Sequence, residues 1–215
     1  MFNFNPDNKV MIFLTKSANV LLATFFWMLG CIPIITAGTA TCALYTVLWR
    51  IYAGQDVRVS REFLYAMKAN LKVATVAWLS CLFVGAVLLG NIHACAVMAE
   101  STGIYGIMKG STICFVIVYM FALSFLFPGI ARYKVSVVQA LRNSVLFGFQ
   151  YLKTSFAAFV LFCFGILIVY FLEWYSIVFI GPNLFVHAVL LNKAFKKYEE
   201  IKFRENVTVE DAGGV

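Results

Sequence analysis

The sequence predicts an all-α membrane protein, a polytopic helical membrane bundle. Of its 215 residues, 62% are hydrophobic and 13% are charged, and the mean hydropathy is +0.88. A soluble domain of this size could not bury so much apolar surface, so lipid must be the solvent. Several stretches without charge also approach or exceed the roughly 20 apolar residues that a helix needs to cross a bilayer. Because these stretches do not alternate between apolar and polar residues, a membrane β-barrel is excluded.

Five stretches without Asp, Glu, Lys or Arg predict where the chain enters the membrane. They are residues 17–49, 73–99, 110–131, 154–172 and 174–192. We expect one membrane domain over residues 1–192. Residues 193–215 are expected to form a cytoplasmic tail whose end is disordered.

The first stretch, residues 17–49, predicts two membrane segments instead of one. Its helix would be about 50 Å long, too long for one upright crossing and short for two. Pro33 lies in its middle, followed by Thr36 and Gly38, so the helix should break there. We interpret the region as a tight hairpin or re-entrant pair, roughly residues 11–32 and 39–52, which gives about six membrane segments in all.

Two other interpretations of this stretch remain open. One is a single long tilted span with the N-terminus outside. The other is a secretory signal peptide, because Lys16, an apolar run and a group of small residues resemble its three parts. The Pro33 break and the further spans count against cleavage.

Basic residues predict the orientation. All but one of the 17 lysines and arginines fall within residues 9–16, 50–72, 132–153 and 193–204. By the positive-inside rule, these four places and both termini are cytoplasmic. A nucleic-acid partner would need one continuous basic surface, so we expect none. The charge is better suited to the anionic lipids of the bilayer.

The connection after Gly54 has the pattern of an amphipathic helix. Arg61, Lys68 and Lys72 share one face, and Ser60 is placed to cap the helix. We expect this helix to lie along the inner membrane surface before the span that starts at Val73.

The connection after Pro128 has a similar pattern. Ser136 and Gln139 have the spacing of a capping box. An apolar stripe formed by Val138, Leu141, Val145, Phe149 and Leu152 lies opposite a polar face that includes Arg142 and Lys153. We expect this helix to lie at the interface too. The basic faces are candidates for contact with lipid or a partner, and their residues are Arg61, Lys68, Lys72, Arg142 and Lys153.

The sequence offers little material for catalysis or metal binding. Six cysteines stand singly in apolar stretches, and the two histidines, His93 and His187, have no carboxylate beside them within the spans. Nucleotide-binding loops and serine-hydrolase elbows are absent from the sequence. We therefore expect a protein that is not an enzyme and has no cofactor or metal. A histidine within the membrane still raises the hypothesis of a ligand or transport role.

Four runs carry a resemblance to a known family. The first, Pro-Ile-Ile-Thr-Ala-Gly-Thr-Ala-Thr-Cys-Ala-Leu-Tyr at residues 33–45, resembles the hallmark of the YesL-like family of bacterial integral membrane proteins of uncharacterised function. Residues 63–72 look like that family's second block, and residues 127–132 and 140–144 are similar to its later portion. The family has no established catalytic or binding residue to transfer. The helix-break motif singled out in the first run consists of Pro33, Thr36, Gly38 and Tyr45.

The resemblance implies a function in carbohydrate uptake. Members are often encoded beside sugar importers, so we expect a non-catalytic accessory protein in the bacterial cytoplasmic membrane, associated with an ABC-type sugar permease. The alternative is a small independent transporter or channel, because broken helices such as the one at Pro33 often form substrate sites. A third hypothesis, an enzyme acting on lipid-linked sugars, would need Glu100 and Glu173 to face one cavity.

Overall fold

The computed structural model describes residues 9–98, 104–133, 135–172 and 176–213, and the all-α prediction is confirmed. Seven α-helices and no strand occur in these residues. They are α1 (Lys9–Cys31), α2 (Ala37–Tyr52), α3 (Val59–Met98), α4 (Ile104–Arg132), α5 (Val137–Gln150), α6 (Leu152–Leu172) and α7 (Ser176–Gly213), with a single 3-10 turn at Ile34–Thr36 before α2.

Five helices of the described residues are long and apolar enough to cross a membrane. These spans are Val10–Cys31, Ile34–Tyr52, Val59–Val97, Gly106–Arg132 and Leu152–Phe171. The chain is therefore consistent with a multi-pass membrane protein. The sixth predicted segment, residues 174–192, begins outside the described residues and continues in α7, which is not one of the five. Pro182, Asn183 and His187 lower the hydropathy of this part of α7.

The first stretch forms the predicted hairpin of two helices. The α1 helix ends at Cys31, the chain turns through Pro33, and α2 begins at Ala37. Trp27 Nε1 donates a hydrogen bond to Thr41 Oγ1 at 3.1 Å, which ties the two arms together. Proline prevents α1 from continuing because its ring removes an amide donor and clashes with the preceding turn.

The structure contradicts the prediction of a separate interfacial helix after Gly54. No break separates the predicted interfacial helix from the span at Val73, because α3 is one continuous helix of 40 residues, about 60 Å long. Its first glycine is Gly85 and it contains no proline, so nothing in the sequence stops the helix earlier. A hydrogen bond between the hydroxyls of Thr39 and Thr75, and one from Arg50 to Glu62, show that this half of α3 runs antiparallel beside α2.

The second interfacial helix forms as α5. Its Ser136 side chain accepts from the Gln139 amide, and the Gln139 side chain accepts from the Ser136 amide, so the capping box is present. The buried face, which consists of Ala140, Ser144, Phe147 and Gly148, differs from the predicted apolar stripe. Most of that stripe is exposed, as Val138 at 75% illustrates. The protein leaves it uncovered, as the interfacial prediction requires.

The α2 helix is the centre of the bundle. Ten of its 16 residues are buried, and it packs on α1, α3, α4 and α7. Gly38 permits the closest approach, since a Cβ atom at this position would lie 2.6 Å from Cβ of Trp78. The Phe195 ring of α7 completes the core, and its centroid lies 6.0 Å from Trp49, 6.0 Å from Phe125 and 5.4 Å from Phe147.

Candidate functional site

The four basic places of the sequence meet at one end of the bundle, which we call the basic end. The guanidinium of Arg132, the last residue of α4, lies 5.6 Å from the ring centroid of Trp49 near the end of α2. Arg132 also binds Glu199 of α7, and Lys16 of α1 lines a cavity of about 430 Å³ with Asp56. This convergence agrees with the single cytoplasmic face that the positive-inside rule predicts.

A wide groove, the α2–α3 groove, lies at the basic end. It has a volume of about 660 Å³. Arg50 donates to Glu62 at 2.5 Å, so the charges of these two lining residues offset each other. The residues that line it are Arg50, Asp56, Arg58, Arg61, Glu62, Leu64, Tyr65 and Lys68. Three cations therefore face one remaining carboxylate, and the groove carries a net positive charge.

The structure brings together only two of the five predicted basic residues. Arg61 and Lys68 line the α2–α3 groove. Lys72 is exposed one turn further along α3, outside the groove, while Arg142 on α5 and Lys153 on α6 are exposed elsewhere.

Arg50 and Arg58 join this groove although the sequence singled out neither of them. Both belong to the same basic cluster of the sequence as Arg61 and Lys68, which was the available signal. Arg50 lies at the end of a different helix, however, and only the packing of α2 on α3 places it in the groove.

A second polar cluster clamps α7 onto the end of α4. Nε and Nη2 of Arg132 donate to the two carboxylate oxygens of Glu199, each at 2.8 Å, and Nη1 donates to Asn192 Oδ1 at 2.6 Å. Tyr133 adds a hydroxyl that donates to Glu199 at 3.0 Å. The hydrogen bond from Arg132 lowers the pKa of Glu199, while burial raises the pKa of Tyr133. A two-pronged arginine–carboxylate contact fixes orientation as well as distance.

Tyr45 has a different role from the rest of the helix-break motif. Pro33 is exposed at the turn, and Thr36 Oγ1 donates to Gly30 O at 2.8 Å, which closes the turn. Gly38 supplies the close contact with α3. Tyr45 lies two turns into α2, where its hydroxyl is 2.8 Å from Nδ1 of His187 on α7.

Beside this pair lies a small groove, the His187 groove, of about 230 Å³ between α1, α2, α6 and α7. His187 is 8% exposed and lines the groove with Trp27, Tyr45 and Asn183. The sequence drew attention to the histidine, but its partner Tyr45 is 142 positions away, and no local pattern predicts that pairing.

The described residues contain no group of three or more His, Cys, Asp or Glu side chains that could hold a metal ion. Glu100 and Glu173, which the third functional hypothesis requires, lie outside the described residues. That hypothesis stays a prediction.

Part of the chain is similar to a known protein family. Residues 20–92 match the family model described as a protein of unknown function, DUF624. The matched region extends from α1 through α2 into α3, so it contains the runs at residues 33–45 and 63–72 and every residue that lines the α2–α3 groove. No curated protein and no solved structure matches the chain. The similarity is thus to a family whose function is unknown.

Proposed function

We propose that the chain is a YesL-like protein of the bacterial cytoplasmic membrane, with both termini in the cytoplasm. In this proposal it is non-catalytic and acts as an accessory component of carbohydrate uptake by binding an ABC-type sugar permease. The resemblance at residues 33–45 and 63–72 supports the family assignment, and both runs fall inside the matched region.

The observation that carries the proposal is the α2–α3 groove. Arg58, Arg61 and Lys68 line it, and Tyr65 is 70% exposed beside them. Arginine and tyrosine are enriched at the centres of protein interfaces, and a cationic surface attracts acidic partners and excludes basic ones. An acidic cytoplasmic segment of a permease fits this chemistry.

The pairing of polar side chains between helices supports a non-catalytic protein. Tyr45 bonds His187, Arg132 bonds Glu199 and Asn192, and each of these contacts joins two helices. Polar side chains that are paired in this way fix how the helices pack.

The test is affinity purification from native membranes in mild detergent, with mass spectrometry of the proteins that come along. The host is grown on several polysaccharides. We expect a sugar permease to be enriched with the wild-type chain and lost with the double variant Arg61→Glu, Lys68→Glu. The control is Lys72→Glu, which reverses an exposed charge on the same helix outside the groove.

Two outcomes would contradict the proposal. One is the absence of any permease from the wild-type sample when the protein itself is recovered. The other is equal enrichment of the permease by the double variant and the wild type, which would exclude the groove as the docking surface.

The independent transporter or channel remains the alternative. The break at Pro33 favoured it, and in the structure this break is the turn of a helical hairpin, which requires no substrate to explain it. Uptake of solute into liposomes that contain only this protein would favour the transporter over the accessory role.

A further inference from the structure

The His187 groove is open on the side of α6. Ile166 of α6 lines it and is 54% exposed, so the groove opens toward the surface that the sequence predicts to face lipid. Its other walls include Trp27 of α1 and Leu184 of α7. A molecule would therefore enter the groove from the bilayer.

The imidazole of His187, a mostly buried residue, lines this groove. Nδ1 of His187 is paired with Tyr45, while Nε2 has no hydrogen-bond partner among the described residues. Within those residues, the Tyr151 hydroxyl is the only fully buried side-chain polar atom that lacks a partner. Nε2 is therefore not fully enclosed, and His187 is one of the residues that line the His187 groove.

A second polar atom lies one helical turn away. Asn183 lies four residues before His187, so both side chains share one face of α7. Nδ2 of Asn183 donates to the backbone oxygen of Leu161 at 3.1 Å, which leaves Oδ1 able to accept a further bond. Gly165 allows this approach, because a Cβ atom there would lie 2.9 Å from Nδ2.

The lack of charged side chains in the groove excludes an ionic ligand. Lysine, arginine, aspartate and glutamate do not occur among the residues that line the groove. A carboxylate or phosphate would lose its hydration there and gain no counterion, which is costly in an apolar site. The polar end of the ligand must therefore be uncharged.

We propose that the His187 groove binds a neutral, hydroxyl-bearing lipid, with its hydroxyl between Asn183 and His187 and its apolar chain passing Ile166. A hydroxyl both donates and accepts, so it pairs with Nε2 in either tautomer and with Oδ1 of Asn183. At about 230 Å³ the groove is smaller than typical pockets for whole ligands, and it suits the end of one chain instead of a two-chain lipid. This site is separate from the α2–α3 groove and does not depend on the proposed function.

The experiment is photocrosslinking of the purified full-length protein with three probes of equal chain length. Each carries a diazirine, and they end in a primary alcohol, a carboxylate or a methyl group. After irradiation, labelled peptides are mapped by mass spectrometry. We expect the alcohol to label the peptides of α6 and α7 that line the groove, and to exceed the other two probes about threefold to tenfold, the effect of one hydrogen bond.

A matched pair of variants locates the labelling. Ile166→Trp places a large ring at the mouth of the groove, whereas Leu167→Trp changes the next residue, which is 52% exposed and does not line it. Because both positions are exposed, neither variant overfills the core. Ile166→Trp should lower labelling by the alcohol about tenfold, and Leu167→Trp should leave it unchanged.

Equal labelling by the methyl-ended probe would overturn the proposal, since the groove would then be ordinary lipid-facing surface. Stronger labelling by the carboxylate would overturn the neutral-ligand assignment. Labelling that resists Ile166→Trp would place the lipid elsewhere. Gel filtration and thermal unfolding of each variant verify that it is folded before its labelling is compared.

Discussion

Gly38 and Trp78 lie so close together that α2 and α3 touch almost backbone to backbone. A Cβ atom added at residue 38 would be 2.6 Å from Cβ of Trp78 and 2.9 Å from the backbone oxygen of Ala74. Neither neighbour is the flexible end of a side chain, so the helices themselves would have to separate. The contact explains why a small residue follows the Pro33 turn.

Gly38→Ala should therefore destabilise the fold. We expect a loss of about 1–3 kcal/mol in the free energy of unfolding, the usual cost of overpacking a core. Denaturant titration in detergent micelles measures it. Gly90→Ala is the control, because an added Cβ atom at Gly90 meets nothing within 4 Å. Equal stability of the two variants would mean that α2 and α3 are less tightly packed than described.

Tyr45→Phe should also weaken the fold. It removes the hydroxyl that pairs with Nδ1 of His187 and leaves a buried ring nitrogen without a partner, at a cost of about 1–3 kcal/mol. The comparison is Tyr65→Phe, which removes a hydroxyl from a side chain that is 70% exposed and should change stability by less than about 0.5 kcal/mol. A similar effect of the two substitutions would argue against the Tyr45–His187 bond.

The Arg132–Glu199 contact predicts a dependence of stability on pH. The folded-state pKa of Glu199 is lowered, so its contribution is present above the unfolded pKa of about 4.3 and is lost as the pH falls through the lower folded value. Because the Glu199 side chain is 44% exposed, the contribution should not exceed about 1 kcal/mol. Glu199→Gln should reduce stability at pH 7 and not at pH 3, while Glu200→Gln, also at an exposed position, should have no effect at either pH.

The orientation of the chain is open to direct measurement. Gln55→Cys, in the exposed connection between α2 and α3, should react with a membrane-impermeant maleimide in inside-out vesicles and not in right-side-out vesicles. Residue 101 lies between two charge-free stretches and outside the four basic places, so the positive-inside rule predicts that it faces outward and that Ser101→Cys shows the reverse. The unmodified chain, with its six native cysteines, sets the background. Reaction of both variants from the same side would contradict the positive-inside assignment.

The sequence was sufficient to predict the fold class, because long charge-free stretches without alternation leave only helices in a membrane. The hairpin followed from Pro33. The predicted helix boundary at Val73 was wrong. A charged residue indicates where a helix leaves the lipid, but the helix itself can continue beyond that point. Lys72 is the last charged residue before the apolar stretch, yet no glycine or proline interrupts α3 there.

The candidate sites were only partly visible from the sequence. In a membrane helix, apolar residues face lipid as well as protein, so hydrophobic periodicity did not show that α2 is the central helix. The partners Tyr45 and His187, and likewise Arg132 and Glu199, lie far apart in the chain. For the Tyr45–His187 pair, the histidine within an apolar stretch was the local signal, and it did not identify its partner.

The central position of α2 has a consequence for how the protein is made. At about 5–20 residues per second, a ribosome that has just added Tyr45 needs roughly 7–28 s to reach His187. During that interval α2 has been synthesised, but α7, which contacts it in the folded protein, has not. Until α7 is made, the face of α2 that will contact it must be covered by lipid or an insertase, and the contacts of α2 are complete only after α7 is synthesised.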